Sequence, residues 1–488
     1  MDLRDIIDLR DFIDKRSGVD IAKMSSVVDP PTFVSATTNE AGTLVTVTFS
    51  KTMADPTGYH AQFAVNDGAS NAVTACVLNA TTTKIDLTLT NAIDNGDTVT
   101  VAYTAGDVTS ADTGILATFG AESVSNIVPA SPVNYTITSL KSLNQNDAQT
   151  TNLSIATIDS THFAVAYTDV SSYGWIKTFS VDGSYEITEI DALEYDEVNG
   201  TEASIVLLDS THIALAYTGT DTDGYIKIIS FDGNCDNLAT VTTLEHDEAF
   251  SDDNSLVKID ATHLALAYSA TSYYGTIKTF SIDESYNVTE VDALSHYSGT
   301  VVRSSLVLID STHLGLAYSE SVGDDGWIKT FSFDGNYDNI TEIASLEHET
   351  TDSTWTSLVL MDSTHFMLAY AGSGTDGYIK TFSFDGNYQN ITEIDSLEHD
   401  AGNGEFNSLV NINSTHSILA YQGTDDDGFL KTFSVDGAFD NITQVDSEEF
   451  DAASAIWCSV CALDSFHYVV AYWNATDDDG LIKTFSID

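Results

Sequence analysis

A chain of 488 residues with 42% hydrophobic side chains can bury the cores of two to four domains. Its 74 acidic against 17 basic side chains give a formal net charge of -57, a field that repels nucleic acid and anionic membrane surfaces and attracts cations. That excludes polyanion binding, and no run approaches the roughly 18 apolar residues of a membrane-spanning helix. The four cysteines, Cys76, Cys235, Cys458 and Cys461, are too few and scattered for a disulfide framework. The CSVC run at 458–461 reads as a strand, where residues three apart point to opposite faces, so buried thiols are expected there and not zinc ligands.

The first 27 residues carry Leu3, Ile6, Ile7, Phe12 and Ile13 at helical spacings between charged residues. This predicts a short amphipathic helix. Such a helix is marginal alone, so it is expected to dock on its own copies in a homo-oligomer or on another virion or surface protein. The segment also lacks the apolar core of a secretory signal.

Pro30 and Pro31 mark a boundary. From residue 28 to 131 short alternating runs, TLVTVTF, KIDLTLT and DTVTVAY, are separated by NDG, DNGD and ADTG turns, the pattern of a β-sandwich of about 100 residues. The runs PTFVSATTNEAGTLVTVTFSKTM and GDTVTVAYTAGDVTS resemble the SwmB-like bacterial immunoglobulin-like repeats. That resemblance implies an immunoglobulin-like sandwich serving as a spacer.

Residues 132–488 repeat a unit of about 50 residues seven times, marked by His162, His212, His263, His313, His365, His416 and His467. Each copy holds four strand-like runs, as in TSLVLMD, HFMLAY, GYIKTFSFDG and NITEIDSLEH, which is the grammar of a β-propeller blade. The array opens at 134–143 on a fourth run and closes on a third run, so strand sharing between the two ends is expected to close the ring. The copies resemble a group of DSTHFxLAY repeats of bacterial, archaeal and phage proteins, a likeness that implies no chemistry.

Seven equivalent histidines around a ring do not make one active site, so DSTH is read as a hairpin turn whose Asp accepts backbone N–H bonds. The repeated Lys177, Lys227, Lys278, Lys329, Lys380, Lys431 and Lys483 are expected to pair with a carboxylate of the adjacent blade. Trp175, Tyr225, Trp327, Tyr378 and Phe429, two residues before a lysine, are candidate glycan or receptor contacts. Asp221, Asp223, Asp324, Asp325, Asp425, Asp427, Asp477 and Asp479 in the acidic loops are candidate calcium ligands. No other cofactor and no catalytic constellation is expected. The class expected is therefore all-β, an immunoglobulin-like sandwich plus a seven-bladed β-propeller behind a short N-terminal helix. The matching function is a non-enzymatic virion surface protein, such as a capsid decoration, turret or tail fibre, with a cell-surface adhesin or lectin as the alternative and a propeller glycosidase or lyase after it.

Overall fold

Strict apolar alternation organises the first part of the chain. The computed structural model describes residues 28–488 except 40, 41, 69, 92, 94, 95, 128–133 and 147, and the chain divides into two units, Met1–Val133 and Asn134–Asp488. The helical pattern of Leu3, Ile6, Ile7, Phe12 and Ile13 lies outside the described residues.

In the first unit, β1 (Phe33–Thr38), β2 (Leu44–Phe49), β5 (Val73–Leu78) and β6 (Lys84–Leu89) form one antiparallel sheet in the order β1-β2-β6-β5. A second sheet has the order β4-β3-β7-β8, from β3 (Phe63–Asn66), β4 (Ser70–Asn71), β7 (Val99–Tyr103) and β8 (Phe119–Val124). Because successive side chains point to opposite faces, Val45, Val47 and Phe49 of β2 meet Ile85 and Leu87 of β6 and Val99, Val101 and Tyr103 of β7 in one core shared by both sheets.

The second unit is a β-propeller of seven four-stranded antiparallel blades among the described residues. Blade five shows the plan. Its inner strand Thr354–Asp362 is followed by His365–Ala371, Gly377–Ser383 and the outer strand Thr392–Asp400, paired in that order. In blades three and four, one unbroken strand, Val288–Asp310, serves as the outer strand of one and the inner strand of the next. The second strand of each blade is covered on both faces by its neighbours, which is why it reads as an uninterrupted apolar run. Phe366, Met367, Leu368, Ala369, Tyr370 and Ala371 are fully buried.

The ends of the array meet in blade seven. Its strands Ala455–Ala462, His467–Asn474 and Asp479–Ile487 are completed by Ile137–Asn146, with Ile137 opposite Ile487 and Lys483 opposite Ser142. Blade seven then packs on blade one through Val469 and Ile482 against Phe163 and Phe179.

A ring of hydrogen bonds closes the same circle. Each inner strand carries one serine whose Oγ accepts the backbone N–H of the following blade. Ser154 accepts from Ile205, Ser204 from Leu256, Ser255 from Leu306, Ser305 from Leu358, Ser357 from Leu409, Ser408 from Val460 and Ser459 from Ile155, at 2.9 to 3.3 Å.

DSTH ties both a turn and a seam. In blade four Asp310 accepts from the backbone N–H of Thr312 at 2.8 Å and lies 2.8 Å from Nδ1 of His313. His313 stacks 3.6 Å from the ring of Tyr388 in the next blade, whose hydroxyl donates back to Asp310. Six blades repeat the stack, and in the seventh Cys235 takes the place of the aromatic ring beside the blade of His162. Burial alone would raise these carboxyls, but the tyrosine, histidine and backbone donors hold Asp209, Asp260 and Asp310 down to about 2.

The lysines bridge the same seams, in part as the sequence suggested. Lys278, Lys329 and Lys380 donate to the main-chain carbonyls of His246, His296 and His348 on the preceding blade, and pair with Glu290, Glu342 and Glu393 of their own blade. The adjacent blade thus offers a carbonyl at close range, and its outer-strand carboxylate farther off, Glu349 at 3.8 Å from Lys380 and Asp451 at 4.0 Å from Lys483. His246, His296, His348 and His399 are themselves buried, and loss of solvation pushes each down to about 3, so they are neutral packing rings. Gly326 and its equivalents leave room for them, since a Cβ there would sit 2.5 Å from the ring of His348.

Candidate functional site at the propeller axis

Every inner strand bulges near its start, and six bulge again beside the DSTH turn. Opposite a single residue of the second strand stand two, as where Thr151 pairs Thr168 but Ser154 already pairs Ala166. The first bulged residue in each blade has positive φ, near +50° to +56°: Asn152, Glu202, Asp253, Arg303, Trp355, Phe406 and Trp457. None is glycine, so each carries a backbone cost of order 1 kcal/mol. A bulge re-aims its side chain, and here all seven converge on the axis.

They line a cavity of about 200 Å³, joined by the residues next to them, such as Ser304, Asn407 and Cys458. A second recess of about 360 Å³ shares Glu202, Asp253, Arg303 and Trp355 and adds Asp252 and Glu405. Around the ring the order is Asn, Glu, Asp, Arg, Trp, Phe, Trp. Four polar groups on consecutive blades therefore face three aromatic rings.

The two arcs meet at Arg303. Its guanidinium lies 3.6 Å from the centroid of Trp355 and 5.5 Å from that of Trp457, with Asp253 at 3.5 Å. Trp355 is held by Nε1 donating to Glu405 at 3.2 Å, and Phe406 packs 3.8 Å from Trp355 and 5.1 Å from Trp457. Asn152 donates to Glu202. Removal from bulk water and the charges of Asp253 and Asp252 push the Glu202 carboxyl up to about 8 against the pull of Arg303 and Asn152. Burial likewise raises Asp253, to about 6, although Arg303 opposes it. The two titrate as one unit that retains a proton near neutral pH. Within the wall, Asn407 Oδ1 and Ser304 Oγ are buried without a protein partner.

The residues singled out from the sequence lie elsewhere. Trp175, Tyr225, Trp327, Tyr378 and Phe429 each start the third strand of a different blade and share no cavity. They pack within their own blades: Trp175 donates to Asp169, and Tyr225, Tyr378 and Phe429 lie against Tyr217, Tyr370 and Tyr421. Asp221 and Asp223, Asp324 and Asp325, and Asp425 and Asp427 occupy three separate loops, and Asp477 lies in a fourth that leads into the strand begun by Asp479. Among the described residues no three His, Cys, Asp or Glu side chains gather as metal ligands. The four cysteines are free and buried. The axial ring leaves the reverse of a motif in the sequence: six residue types share its seven places, two residues before a serine that never changes.

The family described as a flagellar system-associated repeat matches residues 28–108. Comparison with curated proteins gives no match. Among solved structures, the chain is similar to the WD40 domain of Toxoplasma gondii coronin, at 11% identity and a TM-score of 0.50, over 73% of this chain and 88% of that one. It is also similar to a periplasmic gluconolactonase of Pseudomonas aeruginosa, at 12% identity and a TM-score of 0.49, over 62% of this chain and 86% of that one. At these identities the coronin likeness speaks for the β-propeller fold alone.

Proposed function

We propose that this is a non-enzymatic attachment protein whose propeller head captures a ligand in the axial cavity, behind an immunoglobulin-like spacer and an N-terminal docking segment. The observation that carries the reading is the ring of seven bulged residues. Everything around them repeats to hold the blades together, while these seven places vary among six residue types and face one cavity of mixed aromatic and charged walls, the composition of a small-ligand site. Binding is favoured over catalysis because the cavity presents no activated nucleophile. Burial raises the thiol of Cys458, the cysteine in its wall.

The match of residues 28–108 to a repeat named for the flagellar system favours a cell-surface adhesin over a virion decoration, turret or fibre. The test is retention of purified full-length protein on candidate host or partner cells, comparing wild type with Phe406→Ala and Trp457→Ala. Loss of retention in folded variants supports the reading. Equal retention of all three proteins refutes the axial cavity as the attachment site.

A further inference from the structure

The axial cavity has an excess of acid. Glu202, Asp252, Asp253 and Glu405 line it or its adjoining recess against one cation, Arg303, among the described residues. Arg303 is committed to Asp253 and to the face of Trp355, and Glu405 is committed to the indole of Trp355. Glu202 is left with the amide of Asn152 as its hydrogen-bonding partner. In the blade order, Glu202 and Asp253 stand across the axis from Phe406 and Trp457, so a group in the middle meets carboxylates on one side and aromatic rings on the other. The buried oxygen of Asn407 adds an acceptor that can take a donated hydrogen but offers none.

Carboxylates, aromatic rings and spare acceptors around one space are the complement of a positively charged organic group. The cavity already holds one such cation of its own, since the guanidinium of Arg303 lies on Trp355 beside Asp253. An anionic ligand would instead enter against the charge of the chain.

We propose that the axial cavity binds an organic ammonium group, seated between Glu202 and the rings of Phe406 and Trp457. This rests on the reading of the propeller as a ligand-binding head and names the class of its ligand. Because Glu202 and Asp253 retain a proton near neutral pH, entry of a cation displaces it, and binding tightens as the pH rises. Asp252, Arg303 and Glu405 are the other charged groups of the cavity and recess that bear on this titration.

The experiment is isothermal titration of the full-length protein with choline, with glucosamine and with the uncharged tert-butyl isostere of choline, at constant ionic strength and at pH near 5.5 and 8.5. Binding of choline and, at the lower pH where its amine is charged, of glucosamine is expected, at least about tenfold tighter than that of the isostere, and choline, whose charge does not titrate, should bind about tenfold tighter at the higher pH. Glu202→Gln should reduce the pH dependence to the part carried by Asp253 and Phe406→Ala should weaken binding, both with unchanged circular dichroism. Failure of choline and glucosamine to bind, or binding indifferent to both substitutions, overturns the proposal. Cell retention that needs Phe406 without any affinity for ammonium would leave the attachment reading standing and sink only this one; ammonium binding without an effect on retention would do the reverse.

Discussion

Replacing Glu202 with glutamine should stabilise the protein, increasingly so as the solution becomes alkaline. The glutamine oxygen can still accept the amide of Asn152. The free-energy argument starts from a carboxyl raised from 4.5 to about 8. Between those values the folded chain holds a proton that the unfolded chain has released, so stability falls as pH rises through that window and stays low above it. At about 1.4 kcal/mol per pKa unit the full shift would correspond to about 5 kcal/mol. Glu202 faces a solvated channel and shares its proton with Asp253, so about 2 kcal/mol is a sounder expectation. Spread over a propeller of about 350 residues, that corresponds to about 3 °C in melting temperature. Calorimetric melts of both proteins at pH near 4, 6 and 9 should coincide at the lowest value and separate progressively. A variant no more stable than wild type at pH 9 would refute the reasoning, because it would mean that Glu202 ionises there freely.

Other perturbations address the frame. Ser305→Ala leaves the N–H of Leu358 without its acceptor and should cost about 1 to 2 kcal/mol in urea unfolding; an unchanged midpoint would show that the serine ring is not a structural tie. Tyr388→Phe removes the hydroxyl that helps hold Asp310 down to about 2. Asp310 is a depressed carboxyl, so the stability it contributes is present above 3.8 and lost as pH falls toward 2; the variant should therefore lose stability at pH 6 and approach wild type near pH 2. Removing residues 134–141 strips the edge of the strand around Lys483 and uncovers the core around Ile137, so limited proteolysis should begin in blade seven, and resistance equal to that of the intact chain would contradict closure by that strand. Sodium chloride should raise the melting temperature by screening the charge of -57; a melting temperature indifferent to salt would refute this.

The repeat was legible because packing writes itself in apolar residues at regular intervals. Burial of the second strand on both faces demands the run HFMLAY, and the carbonyls and carboxylates at each seam demand one lysine per blade. The partner of that lysine was not legible, since it is a main-chain oxygen about 32 residues earlier, as in Lys380 and His348, and backbone carbonyls leave no mark in a sequence. The candidate site escaped for a related reason. Trp355 and Arg303 are 52 positions apart and meet only because bulges turn both inward, and a bulge at a non-glycine residue has no reliable residue signature. The aromatic residues that did attract attention, such as Tyr378, recur because they cover glycine beside a neighbouring strand, so regularity in this chain marks scaffold.

The ring of serine bonds separates two kinds of inheritance. Each serine fixes its strand to the next through main-chain atoms, whatever side chain stands two residues before it. Asparagine, glutamate, aspartate, arginine, tryptophan and phenylalanine all occupy that neighbouring place in this one molecule, each on the same bulged backbone. Tandem duplication can therefore multiply the frame, and single-codon changes can then alter the seven axial positions one at a time without refolding anything.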